Sequence, residues 1–177
     1  MTKLRSGLDE HHAKKPGQSL TDYLPLLVLL KVSALGAAAM ETHRKEWGVH
    51  SWANDFMGLF FLMFSMLKLF DLEGFADGFQ KYDLLGRRWR LYAYTYPFIE
   101  LALGLGYLSR WQPAVIDWLT FGVLSFGALG IVNAMRKGLD VNCTCMGNIL
   151  RVPLSSVSLL EDVGMAAMAA GLLWTQG

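Results

Sequence analysis

Pro113-Ala-Val-Ile-Asp-Trp-Leu-Thr-Phe-Gly-Val-Leu-Ser-Phe-Gly-Ala-Leu-Gly-Ile-Val-Asn-Ala-Met135 carries a single ionisable side chain, Asp117, in 23 residues. About 30 Å of hydrocarbon needs about 20 such residues at 1.5 Å each, so the stretch predicts a membrane-spanning helix. Working outward, four more apolar runs stand at about 20–40, 56–70, 91–108 and 156–174. The run at 56–70 continues into a more polar stretch. The last carries Glu161 and Asp162 in its first half, and Ser158-x-x-Glu161 fits a capping box that would start this helix late. The fold class expected is therefore all-α: a polytopic membrane bundle of four to five transmembrane helices. Residues 1–19 form a polar tail without signal-peptide character, and residues 20–177 read as one bundle domain.

Composition agrees. The chain is 53% hydrophobic and 18% charged, against about 25% charged in soluble domains. A net charge of +1 gives no general attraction for nucleic acid. Trp47, Trp52, Trp89, Trp111, Trp118 and Trp174, with Tyr92, Tyr94 and Tyr96, lie near the proposed helix ends and read as an interfacial belt. The connection from Asp71 to Leu85 spaces Phe75, Phe79 and Tyr82 near a helical period, which predicts a short amphipathic helix on the membrane surface.

Charge sets an expected orientation. Lys3, Arg5, Lys14, Lys15, Lys81, Arg87, Arg88, Arg90, Arg136, Lys137 and Arg151 fall on one side of the predicted spans. Arg44, Lys45 and Arg110 fall on the other. The positive-inside rule then puts the N-terminus, and the loop after the fourth span, in the cytoplasm of a bacterial inner-membrane protein.

That loop holds both cysteines, in Val141-Asn-Cys143-Thr-Cys145-Met146-Gly147. Two cysteines placed at random would fall this close roughly once in a hundred chains. A disulfide between them would close a small strained ring, which suits exchange chemistry more than structural support. Alternatively, two thiolates with the Met146 thioether suit a soft ion such as Cu(I). Two buried inert thiols are the third reading, but Asn142, Thr144 and Asn148 make the setting polar. Lys68, Asp71, Glu100, Glu161 and Asp162 are the candidate structural or functional charges at membrane depth, beside Lys31 and Asp117. Lys68 and Asp71 are spaced to meet on one helix face, and a Lys68–Glu100 contact is geometrically open. His11, His12, His43 and His50 read as solvated tail and loop residues. Met57, Met63 and Met66 read as core, and Gly104-x-Gly106 as close helix packing.

Residues 56–77, then Lys81-Tyr-Asp83 and Tyr96-Pro97-Phe98-Ile99-Glu100, resemble the MauE/DoxX redox-associated membrane proteins. So do Cys143-Thr-Cys145-Met146-Gly147, Val152-Pro153-Leu154-Ser155 and Glu161-Asp162, in the family's order. The similarity covers about residues 55–174. It implies a small helical bundle with a Cys-x-Cys pair at Cys143 and Cys145. One branch is linked to maturation of a disulfide-rich periplasmic dehydrogenase subunit in methylamine utilisation. Another is associated with heavy-metal handling, often behind a soluble metal-binding domain, which residues 1–19 do not supply. The expectation is a thiol-redox membrane protein serving a protein partner among membrane lipids. Soft-metal transport (copper or mercury) and a non-catalytic accessory subunit are the alternatives.

Overall fold

The computed structural model describes residues 24–44, 48–86, 88–137 and 154–176, and they are helical throughout apart from short turns. Six helices follow one another: α1 (Leu24–Glu41), α2 (Val49–Phe70), α3 (Leu72–Tyr82), α4 (Arg90–Ser109), α5 (Pro113–Arg136) and α6 (Leu154–Gln176). Two of them, α2 and α5, are long and apolar enough to cross a membrane. The expected amphipathic helix is the 11-residue α3.

Sequence explains most boundaries. Asp71 starts α3 by accepting the Gly74 amide at 3.0 Å, satisfying one donor that the first turn leaves unpaired. Pro113 opens α5, where its missing N–H costs nothing. Arg110 ends α4 in a left-handed conformation, its amide turned back to the last carbonyls. Two boundaries differ from expectation. α2 begins at Val49, seven residues before Phe56, because its polar first turns are held by ion pairs described below. α6 begins at Leu154, so Ser158 and Glu161 lie inside the helix and do not cap it.

The long helices run antiparallel in sequence, and the main packed pairs are α5 with α6, α2 with α4, and α1 with α2. Gly58 and Gly104 set the α2–α4 crossing. A Cβ on Gly104 would stand 3.1 Å from the Gly58 carbonyl and the Leu62 amide, so a side chain there would push the backbones apart. A large core of Phe56, Phe60, Phe61, Phe64, Leu103 and Tyr107 with residues of α1, α5 and α6 fills the bundle. A smaller one joins Phe75, Ala76 and Phe79 of α3 to Ala93 and Tyr96 of α4 and Ile131 and Ala134 of α5. The apolar face of α3 is thus turned onto the bundle.

The aromatic belt is only partly where the sequence suggests. Trp89, Trp111, Trp118 and Trp174 are exposed. Trp52 instead stacks on Phe56 and donates to the Ala34 carbonyl at 3.3 Å, and Tyr96 is buried against Phe75 and Phe79. Both rings find better-packed surroundings between helices than at a headgroup layer.

Candidate functional site

Two buried charge clusters lie at opposite ends of the bundle. The first is built on Lys68, in the last turn of α2. The side chain is only 5% exposed and forms an ion pair with Glu100 of α4, itself buried. Its ammonium sits 5.4 Å from the Tyr96 ring centre, 5.5 Å from Phe75 and 5.9 Å from Phe64. The negative faces of three rings and one carboxylate therefore replace water around the charge. Pro97 sits one turn before Glu100 and removes an amide from the α4 ladder, at the level where α3 covers the helix.

Glu100 is not fully served by the pair. Its Oε2 is buried and has no hydrogen-bond partner among the described residues. Asp162 of α6 is also buried and lies within coulombic reach of Lys68, Glu100 and Asp83. It faces Gly127 of α5. A Cβ on Gly127 would stand 2.9 Å from Asp162 Oδ2 and 3.7 Å from the Tyr96 hydroxyl. The absent side chain is what lets the carboxylate and the phenol converge on one point.

Asp83, in the turn after α3, closes this end. Its Oδ1 accepts the Leu85 amide at 2.9 Å and the Gly86 amide at 2.7 Å, while Oδ2 is buried and unpaired among the described residues. Burial pushes the Asp83 carboxyl above the usual carboxylate range, and the two amides oppose that shift.

The second cluster ties α1, α2 and α4 together at the other end. Asp55 is completely buried and bridges Arg44 at 2.8 Å and Arg110 at 2.9 Å. Arg44 also pairs with Glu41 and bonds Ser51, and Arg110 reaches the Ser51 hydroxyl at 2.9 Å. Near it, the buried Tyr107 hydroxyl donates to Asp117 at 2.8 Å, crossing from α4 to α5. This end is a structural clamp.

Of the charges picked out from sequence, Lys68, Glu100 and Asp162 come together. Asp71 does not join them: it is exposed and committed to capping α3. Glu161 is half-buried, and Lys31 is exposed. Lys68 does not snorkel to water, because α3 and its rings cover it. His50 shares a 3.0 Å contact with Asn54, and His43 is exposed. The three methionines are split: Met57 is fully buried, Met63 accepts from the Ser33 hydroxyl, and Met66 is half-exposed. Among the described residues no group of three His, Cys, Asp or Glu is placed to hold a metal. Cys143, Cys145 and Met146 lie outside the described residues. Sequence reasoning overlooked Asp55, Glu41 and Asp83 as buried acids. The hint for Glu41 and Asp55 was that each adjoins a predicted span end, and Asp83 lay in the Lys81-Tyr-Asp83 motif of the connecting helix.

The family model described as methylamine utilisation protein MauE matches residues 48–175. This chain belongs to the MauE family. The match opens just before α2 and takes in the Lys68 cluster, Asp55 and Arg110 of the second cluster, and the cysteine segment, leaving out α1, Glu41, Arg44 and the polar tail. No curated protein and no solved structure gives a match. Membership makes the chain a membrane protein of the kind involved in methylamine utilisation, in keeping with the apolar α2 and α5. Within this MauE-family bundle, Lys68, Glu100, Asp162, Tyr96 and Asp83 form one buried group of ionisable side chains.

Proposed function

We propose that this MauE-family chain is a multi-pass inner-membrane thiol-redox protein. Cys143 and Cys145 cycle between dithiol and disulfide and support maturation of, or electron exchange with, a protein partner in a methylamine utilisation system. The observation that carries this reading is topological. The segment with the cysteines leaves α5 after Lys137 and enters α6 at Leu154. Those two helix ends lie at the same end of the antiparallel bundle as Lys68, Glu100, Asp162 and Asp83. The unusual sequence motif and the Lys68 cluster, with its partly unpaired acids, thus belong to the same end, while the acids of the other end are engaged by Arg44, Arg110 and Tyr107.

The five long helices span the membrane, with the cysteine end in the cytoplasm. Lys81, Arg88, Arg90, Arg136 and Lys137 gather at that end. At the opposite end the described residues offer Arg44 and Arg110, which leaves the larger count of basic residues to the cysteine end.

The test is thiol trapping of the membrane-embedded protein followed by mass spectrometry, before and after mild oxidant. The expected result is a reversible loss of two thiols, abolished in Cys143→Ser and Cys145→Ser. A pair that stays reduced and unreactive under every oxidant would sink the proposal. Stoichiometric Cu(I) binding that disappears in the same variants, without redox cycling, would instead establish the soft-metal reading.

A further inference from the structure

Among the described residues, the charges around Lys68 do not balance. At the centre of the site one ammonium faces two buried carboxylates, Glu100 and Asp162. Asp83 adds a third acid at the rim, but two backbone amides serve its Oδ1. Among the described residues, the other titratable groups facing the site are the Tyr92 and Tyr96 phenols of α4, and α5 meets Asp162 at Gly127. An unbalanced negative charge at membrane depth costs about 2.5–3.5 kcal/mol even on lenient scales, and two like charges close together oppose each other's ionisation.

The described residues thus leave room for one more positive charge at the site, and its size is constrained. A hard metal cation wants about six oxygen ligands. The described residues offer two carboxylates and a phenol, closed in by Phe64, Phe75 and the tight Gly127–Asp162 approach. A proton needs only one carboxylate oxygen and one acceptor. Glu100 Oε2, buried and without a partner among the described residues, is an oxygen of the kind that needs one.

We propose that Lys68, Glu100 and Asp162 form an intramembrane proton-binding site, in which the two carboxylates together hold one exchangeable proton against the single ammonium. Asp83 stands at the rim of the site, in the turn after α3, and this is the end of the bundle at which the proton would enter and leave. Gly127 keeps α5 out of the space between Asp162 and the Tyr96 hydroxyl, so the phenol stands beside the proton-holding carboxylate as a donor or acceptor. The inference is independent of the cysteine pair and survives if Cys143 and Cys145 prove inert.

The test is pH-difference infrared spectroscopy of the full chain in lipid nanodiscs, in H2O and D2O. The expected result is a carbonyl band of one protonated carboxylic acid that shifts in D2O and is lost reversibly as the pH is raised. Asp162→Asn and Glu100→Gln should each abolish it, because either leaves one carboxylate for one ammonium. Asp83→Asn should retain it. Either of the first two variants suffices if the other fails to give a monodisperse gel-filtration profile. The proposal is overturned if no such band exists, or if it persists in the Asp162 or Glu100 variant. It is equally overturned if replacing choline chloride by sodium chloride removes the band at constant pH, which would make this a cation site.

Discussion

Lys68 shows how a single residue type can be forced into an unusual role by its neighbours. In a lipid-facing position its stem would carry the ammonium to the interface. Here α3 lies over the end of α2, and Phe75 and Tyr96 close the route, so the charge has to be met internally by Glu100. Lys68→Met leaves Glu100 buried without its cation and should cost about 3–5 kcal/mol. Lys68→Met with Glu100→Gln should recover a large part of that loss, since an apolar–polar pair replaces an orphaned charge. Thermal unfolding of the four species in one detergent measures the cycle, and additive losses would deny the coupling. Gly127 is the companion case. Gly127→Ala places a methyl 2.9 Å from Asp162 Oδ2, and the α5–α6 pair must open to accept it. A loss of about 1–3 kcal/mol is expected by the same assay. Unchanged stability would mean that Asp162 does not sit against α5.

At the level of the element, α3 is the piece whose sequence pattern was clear and whose destination was not. Its apolar spacing identified a helix with one greasy face, and such a face suits lipid as well as protein. Packing chose protein, because Phe75 and Phe79 stack with Tyr96 and Tyr92 and so cover Lys68. Asp71→Ala should therefore loosen the cover by removing the α3 cap, at about 1 kcal/mol. Faster amide exchange confined to α3 and the following turn is the expected signature, and exchange that is unchanged there would contradict it. The turn itself carries a pH signal. Asp83 holds its proton more tightly folded than unfolded, so its contribution favours the native state at low pH. That contribution is lost as pH rises from the ordinary carboxylate range, about 4, through the higher folded value. Asp83→Asn keeps an oxygen acceptor for the Leu85 and Gly86 amides but removes the buried charge. Its unfolding temperature should depend less on pH than that of the unsubstituted protein, and an identical pH profile would refute the assignment.

For the molecule as a whole, the two ends behave differently. One is locked by Asp55 between two arginines, holding three helices that have little sequence separation to enforce their register. Asp55→Asn removes the charge common to Arg44 and Arg110 and should cost about 3 kcal/mol or more, since both guanidinium groups lose their shared partner. Chemical denaturation checks this directly. The other end gathers the remaining buried charges, α3 and both helix ends that lead to the cysteines. A membrane-impermeant thiol reagent applied to intact cells should leave Cys143 and Cys145 unlabelled, with labelling only after the membrane is opened. Labelling in intact cells would reverse the orientation.

Helix number, helix type and membrane character were legible from sequence because they follow from the length and apolarity of contiguous runs, which are local properties. Four of the five predicted apolar runs coincide with helices to within about four residues at each end. The exception, α2, extends through Asn54 and Asp55, whose polarity argued for a loop until Arg44 and Arg110 were brought beside them. The sequence left Lys68 two candidate partners, Asp71 and Glu100, and the choice between them was beyond local reasoning. Asp71 is three residues away in sequence and Glu100 is thirty-two, and only the crossing of α2 on α4 makes the distant residue the nearer one. Asp162 joins them because α6 lies against a glycine of α5, a coincidence of two helices that no periodicity encodes. The sequence by itself determined that this chain is a helical membrane protein with a rare cysteine pair. The tertiary structure alone decided which buried charges meet, because burial and pairing are properties of the space between helices and not of any one of them.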